Sequence, residues 1–394
     1  MEQNSSTTLH IRCDREDLLA SLQVAATVVP SNSARPILTN ILFRASDDHI
    51  EILATDSQIG LRIVIRRLEA LQPGEAIVPV KQLLSILKES SSNHVELQVN
   101  HSAEGRSLLH IILHDGRYTI GTVIGDTFPE ISPFPDHSEQ RVVIPGGECE
   151  RMIRKTAFAM DKDRSSVVLS GLFFMVEEGA CVMTGTDGKV LSEAILDCNQ
   201  FQDSFHAVLP PSTVQHLQRI LQQDGSGDVE LMIDRKVVFI RTTIKNNDRD
   251  GIGSIQIEIT SRLVEGVYPS YRNVLPRDPN ATITFDREAL LSAVRRTALM
   301  VDGTTKGVVI DAHDDRAILR NMVVTGGNAE IPVACTVTGE TRRIGLNANN
   351  LLNILRIYER DTVSIELNRD GKGMILREPG MTYLIMPISP PKES

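Results

Sequence analysis

No run of 18 or more apolar residues occurs in this 394-residue chain, so no segment reads as a membrane-spanning helix. The opening residues, Met1 to Thr8, are polar and carry no apolar signal core, which reads as a chain without an export signal and places it in the cytoplasm. Cysteine is sparse. Cys13, Cys149, Cys181, Cys198 and Cys335 are scattered with no C-x-x-C pair, so they frame neither a zinc site nor a disulfide scaffold and read as reduced thiols in core positions. The ten histidines form no H-E-x-x-H or comparable ligand cluster, and no G-x-S-x-G elbow is present. Gly185-Thr186-Asp187-Gly188-Lys189 has neither the spacing of a phosphate loop nor the hydroxyl residue that follows its lysine. The chain therefore reads as a protein with no reaction, cofactor or metal of its own.

What is present suits a folded protein of two to four domains: 41% hydrophobic and 23% charged residues over 394 positions. The formal net charge of −10, taken alone, argues against nucleic acid. Net charge averages the whole surface, however, and binding depends on where the cations sit.

An internal repeat organises the chain. Leu38-Thr39-Asn40-Ile41-Leu42-Phe43 is matched 131 residues later by Leu169-Ser170-Gly171-Leu172-Phe173-Phe174. The same offset carries Ala54-Thr55-Asp56 onto Gly185-Thr186-Asp187, Ala26 onto Ala157 and Leu83 onto Val214. The last third repeats more loosely: Asp14-Arg15-Glu16-Asp17-Leu18-Leu19 resembles Asp286-Arg287-Glu288-Ala289-Leu290-Leu291, and Leu83-Leu84-Ser85-Ile86-Leu87 resembles Leu351-Leu352-Asn353-Ile354-Leu355. Three homologous domains are expected, at 1–138, 139–275 and 276–394. Because Asp56 and Asp187 are repeat mates, a structural turn suits them better than paired catalytic carboxylates.

Each third divides again. In the first, a strand at 9–12 leads to a helix over 14–29 with Asp14 as N-cap, then strands at 41–45, 49–54 and 61–67. The plan restarts with a strand at 76–78, a helix at 80–89 and strands at 95–99, 108–113 and 118–123. Six βαβββ units of roughly 65 residues nearly exhaust the chain. The fold class is α+β, with helices on one side of antiparallel sheets. Edge strands left at the ends of such modules must be covered or paired, and pairing with the next domain and then with another copy would close a ring.

These residues resemble the bacterial DNA polymerase III beta subunit, the beta sliding clamp family. The resemblance rests on Tyr383-Leu384-Ile385-Met386-Pro387-Ile388, on Gly185-Thr186-Asp187-Gly188-Lys189-Val190-Leu191, and on Tyr268-Pro269-Ser270-Tyr271-Arg272-Asn273-Val274-Leu275-Pro276. Pro36-Ile37-Leu38, Arg117-Tyr118-Thr119-Ile120, Phe128-Pro129 and Phe158-Ala159-Met160 add to it. It covers almost the whole chain, from about Leu9 to Ile388, through the order and spacing of motifs that are individually weak.

The resemblance implies a head-to-tail homodimer of three repeated clamp domains, helices on the inner face around duplex DNA and sheets outside. Its partners would be DNA, a clamp loader, and polymerase and repair proteins that dock through short peptides. Their pocket would use Leu169, Thr186, Gly188, Lys189, Val190, Leu191, Pro269, Val274, Leu384, Met386, Pro387 and Ile388. Plain core and turn roles are the alternative for these. DNA would be faced by Arg35, Arg151, Arg154, Lys155, Lys162, Arg164, Arg295, Arg296 and Arg356, with Arg360 beside them, holding phosphates without reading sequence. A solvated face with cations favoured at helix ends is the other reading. Tyr118 and Ile120 would meet Leu299 and Met300 of a second copy, unless they are intradomain core.

Departures from the family pattern are Lys189-Val190 and Arg272-Asn273, where basic pairs are common, an Arg35 displaced from the usual inner-loop cation, and the extension Ser389-Pro390-Pro391-Lys392-Glu393-Ser394. They bear on peptide preference more than on the pocket. A clamp paralogue for repair or drug tolerance, or a monomeric peptide-binding scaffold, are the competing readings.

Overall fold

The computed structural model describes residues 6–66, 68–101, 107–124, 127–135, 141–198, 204–224, 227–245, 254–275, 279–301, 307–322, 327–341, 343–368 and 373–388. Arg67, Pro276 and the Ser389–Ser394 extension lie outside the described residues.

Six βαβββ units follow one another as expected. The first is β1 (Ser6–Asp14), α1 (Arg15–Val28), β2 (Ile41–Ala45), β3 (Ile50–Thr55) and β4 (Ile59–Ile65), followed by a further strand, β5 (Leu68–Gln72). The second is β6 (Gly74–Val78), α2 (Val80–Glu89), β7 (His94–His101), β8 (Ser107–Leu113) and β9 (Gly116–Gly121). The third is β10 (Arg141–Ile144), α3 (Gly146–Thr156), β11 (Leu172–Glu177), β12 (Ala180–Thr186) and β13 (Val190–Asp197). The fourth is β14 (Phe205–Leu209), α4 (Pro211–Asp224), β15 (Val229–Asp234), β16 (Val237–Lys245) and β17 (Ser254–Arg262). The fifth is β18 (Ala281–Asp286), α5 (Arg287–Ala298), β19 (Gly307–His313), β20 (Arg316–Asn321) and β21 (Glu330–Gly339). The sixth is β22 (Ile344–Asn347), α6 (Ala348–Ile357), β23 (Thr362–Leu367), β24 (Met374–Glu378) and β25 (Met381–Ile385).

The strand expected at 61–67 is β4, Ile59–Ile65, and a further strand that was not expected, β5, follows it. In the fifth unit β21 is continuous, pairing β20 through its first half and β18 through its second. In the first unit the same course breaks after Ile65: β4 pairs β3, and β5 then pairs β1.

Local chemistry explains the repeated starts. Asp14 caps α1, its carboxylate accepting from the backbone N–H of Glu16 and Asp17, and Asp286 caps α5 by accepting from Ala289 at 2.8 Å. The arginine after each cap reaches the far end of the domain's second helix: Arg15 Nη1 donates to Leu87 O at 3.1 Å and Arg287 Nη1 to Leu355 O at 3.3 Å. Each thus satisfies a carbonyl that a helix C-terminus leaves open. Leu18, Leu22, Ala25 and Val28 form the buried stripe of α1, and each leucine so buried contributes about 1.5–3 kcal/mol.

The chain packs as two compact units, Met1–Glu150 with Leu209–Leu263, and Arg151–Val208 with Val264–Ser394. The first holds a five-stranded sheet, β5-β1-β7-β8-β9, and an eight-stranded sheet, β10-β15-β16-β17-β4-β3-β2-β6. The second holds a twelve-stranded sheet, β14-β11-β12-β13-β25-β24-β23-β18-β21-β20-β19-β22. The middle third of the sequence is divided between them because two antiparallel ladders join strands of different thirds. β4 pairs β17 from Ile59↔Ser261 to Val64↔Gln256, and β13 pairs β25 from Val190↔Ile385 to Ala194↔Met381. These ladders are the expected pairing of edge strands with the neighbouring domain. Among the last strands of the six units, two have no such partner among the described residues: β9 pairs only β8, and the first half of β21 pairs only β20.

A threefold main-chain bond marks the repeat most directly. Val123 N donates to Ile77 O at 3.1 Å, Val264 N to Val208 O at 2.9 Å and Ile388 N to Gly345 O at 2.8 Å. At the third place a Cβ on residue 345 would lie 2.3 Å from Ile388 O, so only glycine admits the contact.

Four of the cysteines are buried and Cys198 is half-buried. Burial pushes the thiols of Cys13 and Cys149 up to about 12, which keeps them protonated and inert.

Candidate peptide site and cation positions

The sequence Thr186-Asp187-Gly188-Lys189-Val190 builds a tight turn between β12 and β13. Asp187 accepts from the N–H of Lys189 and of Val190, both at 2.8 Å, and Thr186 Oγ1 accepts from Gly188 N and donates to Val190 O. Gly188 sits at φ +82°. The turn at Thr55-Asp56-Ser57 repeats three of these bonds, Thr55 Oγ1 accepting from Ser57 N and Asp56 from Gln58 N and Ile59 N, with Ser57 at φ +79°. The aspartates are therefore turn formers, and the Thr186 hydroxyl is used inside the loop.

β13 brings Leu191 against Leu384 of β25, and both are buried, in one apolar cluster with Phe173, Val208, Tyr268, Tyr271 and Ile375. Leu169 packs on that cluster from the segment before β11. Leu191 and Leu384 are floor, while Val190 is buried but stands outside that cluster. Pro269, Val274 and Met386 are exposed, Val274 by 51% and Met386 by 37%. Lys189 and Gly188 are exposed at the turn, and Pro387 and Ile388 are half-buried. The segment 386–388 is held in place by Met386 N donating to Lys189 O at 2.8 Å and by the Ile388–Gly345 bond.

Three aromatic rings that the sequence reading left out of the site complete it. Phe173 stacks on Tyr268 at 4.6 Å, and Tyr271 stands edge-on to both. Tyr271 donates to Glu193 Oε2 at 2.6 Å and accepts from Thr184 Oγ1 at 3.0 Å. Burial, then the neighbouring Glu193 carboxylate, push the Tyr271 hydroxyl above its usual range, so it stays a donor. Arg272 pairs with Glu177 at 2.6 Å. Val167 and Val267, 70% and 92% exposed, were also missed; they flank Val168 and Gly266, and a Cβ on Gly266 would meet Val168 at 2.4 Å.

The same cluster occurs once more. Ile37, Leu38, Leu42, Leu53, Ile77 and Phe128 pack together with Val123 and Ile131. Leu38, Leu42 and Ile77 are the 131-residue mates of Leu169, Phe173 and Val208. The middle copy differs in its aromatic content, Tyr268 and Tyr271 standing where the first has Phe128 and Ile131. The 131-residue offset carries Leu42 onto Phe173, whereas Tyr268 and Tyr271 stand 140 residues after Phe128 and Ile131.

The cation positions divide. Arg35, Lys162, Arg164, Arg295, Arg296 and Arg356 are exposed, and Arg151 is half-buried. Lys162 and Arg164 lie in a loop held by Asp161, whose carboxylate accepts from Ser165 Oγ, Ser166 N and Asp163 N. Lys155 is a correction: its side chain is fully buried, with Nζ 2.9 Å from both Glu378 and Glu359, and it cannot face DNA. Two carboxylates compensate its charge, so the cation belongs to the interior. Arg154 pairs with Glu359 at 3.2 Å and is only partly exposed. Burial disfavours the Glu359 carboxylate, but hydrogen bonds from Lys155 and Arg154 outweigh that and hold it below the usual range.

Tyr118, Leu299 and Met300 are exposed and Ile120 is half-buried, so none of them is closed into a domain core. Among the described residues no cluster of three or more His, Cys, Asp or Glu could hold a metal, and no helix is long and apolar enough to cross a membrane.

Three family models match nearly the whole chain: the DNA polymerase III beta subunit N-terminal domain over 9–132, its central domain over 143–270 and its C-terminal domain over 272–389. The chain is 27% identical over 386 residues to the beta sliding clamp of Pseudomonas aeruginosa, covering 96% of this chain and all of that one. It is 23% identical to the beta sliding clamp of Synechocystis, covering 95% and 98%. Among solved structures, the DNA polymerase III subunit beta of Pseudomonas aeruginosa superimposes with a TM-score of 0.85 at 24% identity, covering 96% of this chain and 99% of that one. The sliding clamp of Bacillus subtilis gives 0.85 at 21%, covering 97% and 99%. Repeat, fold and matched domains converge: this chain belongs to the DNA polymerase III beta subunit family, the bacterial beta sliding clamps.

Proposed function

We propose that this chain is a DNA sliding clamp: two copies, head to tail, form a ring around duplex DNA, and the ring tethers the replicative polymerase and other replication and repair proteins. It acts in the cytoplasm as a processivity factor and catalyses nothing itself. The three domains are 1–138, 139–275 and 276–394, with the helices lining the hole and the sheets outside.

The observation that carries this reading is the pair of sheet joints inside the chain. β4–β17 and β13–β25 each join the third strand of one half-domain's run to the last strand of another. One such pair is left open at the ends, β21 and β9. The equivalent bonds of Val123 and Ile388 align β9 with β25, so that Tyr118 and Ile120 stand where Tyr383 and Ile385 stand. Carried over in the β13–β25 register, Tyr118 of one copy falls on Ala329 and Ile120 on Gly327 of the next. Asn321 Nδ2 donates to both Gly327 O and Met300 O, holding Met300 beside that place, with Leu299 next to it. This supports Tyr118, Ile120, Leu299 and Met300 as the dimer contact.

DNA is held loosely through Arg35, Arg151, Lys162, Arg164, Arg295, Arg296 and Arg356, without sequence readout. Arg154 contributes only as far as its pairing with Glu359 allows. Partner peptides, from polymerase subunits, the clamp loader and repair proteins, lay apolar anchors over Leu169, Leu191 and Leu384 between Pro269, Val274 and Met386.

The test is retention on DNA after loading by a clamp loader at moderate salt. The protein should stay on circular DNA and run off once the circle is cut. Equal loss from both forms, with a control clamp loaded normally, would overturn the ring and leave a monomeric scaffold.

A further inference from the structure

One residue at the open edge breaks the repeat. Cys335 N donates to Asp315 O at 3.0 Å, so Cys335 turns its backbone toward β20. By the alternation of an antiparallel strand, Val333 and Ile331 do the same, while Ala334, Pro332 and Glu330 turn theirs to the open side. The equivalent side of β13 is fully used. Ile195 N donates to Gly380 O and Lys189 O accepts from Met386 N, both at 2.8 Å. Counted from the hairpins Glu177↔Ala180 and His313↔Arg316, and through the ladders that follow them, Ile195 of β13 holds the place of Pro332 in β21. In β4 that place belongs to Val64, paired with Gln256 of β17. Valine and isoleucine bring an N–H; proline has none.

We infer that Pro332 truncates the self-association edge, so that β9 of a second copy finds backbone N–H donors at Asn328 and Glu330 but none at Pro332. The joint between copies is then one donor short of the β13–β25 joint. A proline on an exposed edge also bars further strand addition there. In the same register Arg117 of β9 falls opposite Glu330, so the side chains beside the gap carry opposite charges. The inference rests on the edge-to-edge dimer proposed above.

The experiment is sedimentation of the full chain over a dilution series. Pro332→Val, the residue of β4, and Pro332→Ala should each tighten a joint by up to about tenfold, the span of one restored hydrogen bond. A ring with two identical joints would show that factor squared. Unchanged or weaker association in both variants, with unaltered monomer unfolding, overturns the inference. Two further variants separate it from the dimer reading: Glu330→Arg and Arg117→Glu should each weaken association, and together restore it. If they leave association untouched, the edge-to-edge dimer itself fails. If they act and the proline variants do not, only the role of Pro332 falls.

Discussion

Lys155 Nζ lies 2.9 Å from Glu378 Oε2, and solvent reaches almost nothing of either side chain. Glu378 accepts also from the Tyr383 hydroxyl at 2.9 Å and, through its other oxygen, from Glu359 N at 2.7 Å. The end of α3 is thereby clasped to the loop after α6 and to the β24–β25 hairpin. Removing one partner strands a buried charge, which costs about 3–5 kcal/mol. Lys155→Met should lower stability by that amount in urea unfolding, and adding Glu378→Gln should recover much of it. A Lys155→Met protein as stable as the parent would show that the cation is not held in the interior.

Acid should loosen the ion pair of Glu51 on β3 with Arg62 on β4. Burial opposes the Glu51 carboxylate, but hydrogen bonding and charge from Arg62 outweigh it and lower its pKa from the usual 4.5. Arg62 also reaches Glu258 of β17 at 2.8 Å. A depressed folded-state pKa gives stability that is present above about 4.5 and is lost as pH falls through the lower, folded value. Unfolding midpoints measured from neutral pH downward should fall in that window, and Glu51→Gln should flatten the fall. A decline of the same steepness in the variant would remove Glu51 as its source.

Peptide capture should depend on the exposed apolar residues and not on the Thr186 hydroxyl. Met386→Glu and Val274→Asp should weaken a fluorescent peptide with leucine and phenylalanine anchors by about tenfold or more, the effect of 1–3 kcal/mol lost at an apolar contact. Their melting temperatures should change little, because both side chains are already in solvent. Peptide affinity unchanged in both variants would move the site elsewhere.

The βαβββ plan was legible because strand and helix periods alternate cleanly and the 131-residue offset aligns turn chemistry: Asp56 and Asp187 make the same bonds. Helix α2 over Val80–Glu89 and strand β2 over Ile41–Ala45 were read to the residue. The break between β4 and β5 was not, since apolar residues run on to either side of it while the hydrogen-bond partner changes. Lys155 misled for a different reason. A basic residue beside Arg154 in the last turn of α3 looks like any solvated cation, and only the carboxylates of Glu359 and Glu378, more than 200 positions away, take it inside. Phe173, Tyr268 and Tyr271 come from two distant segments, so only their meeting in space defines the aromatic part of the site.

The β4–β17 and β13–β25 ladders tie strands of a single polypeptide. If either opens, its strands remain leashed to each other and re-meet at an effective concentration set by chain length, on the order of millimolar for a short tether. Dilution cannot undo them. The contact proposed between β9 and β21 of two copies has no leash, so its occupancy would follow the concentration of the protein. Supply of the protein would then govern assembly at that one contact while the internal contacts stay indifferent to it.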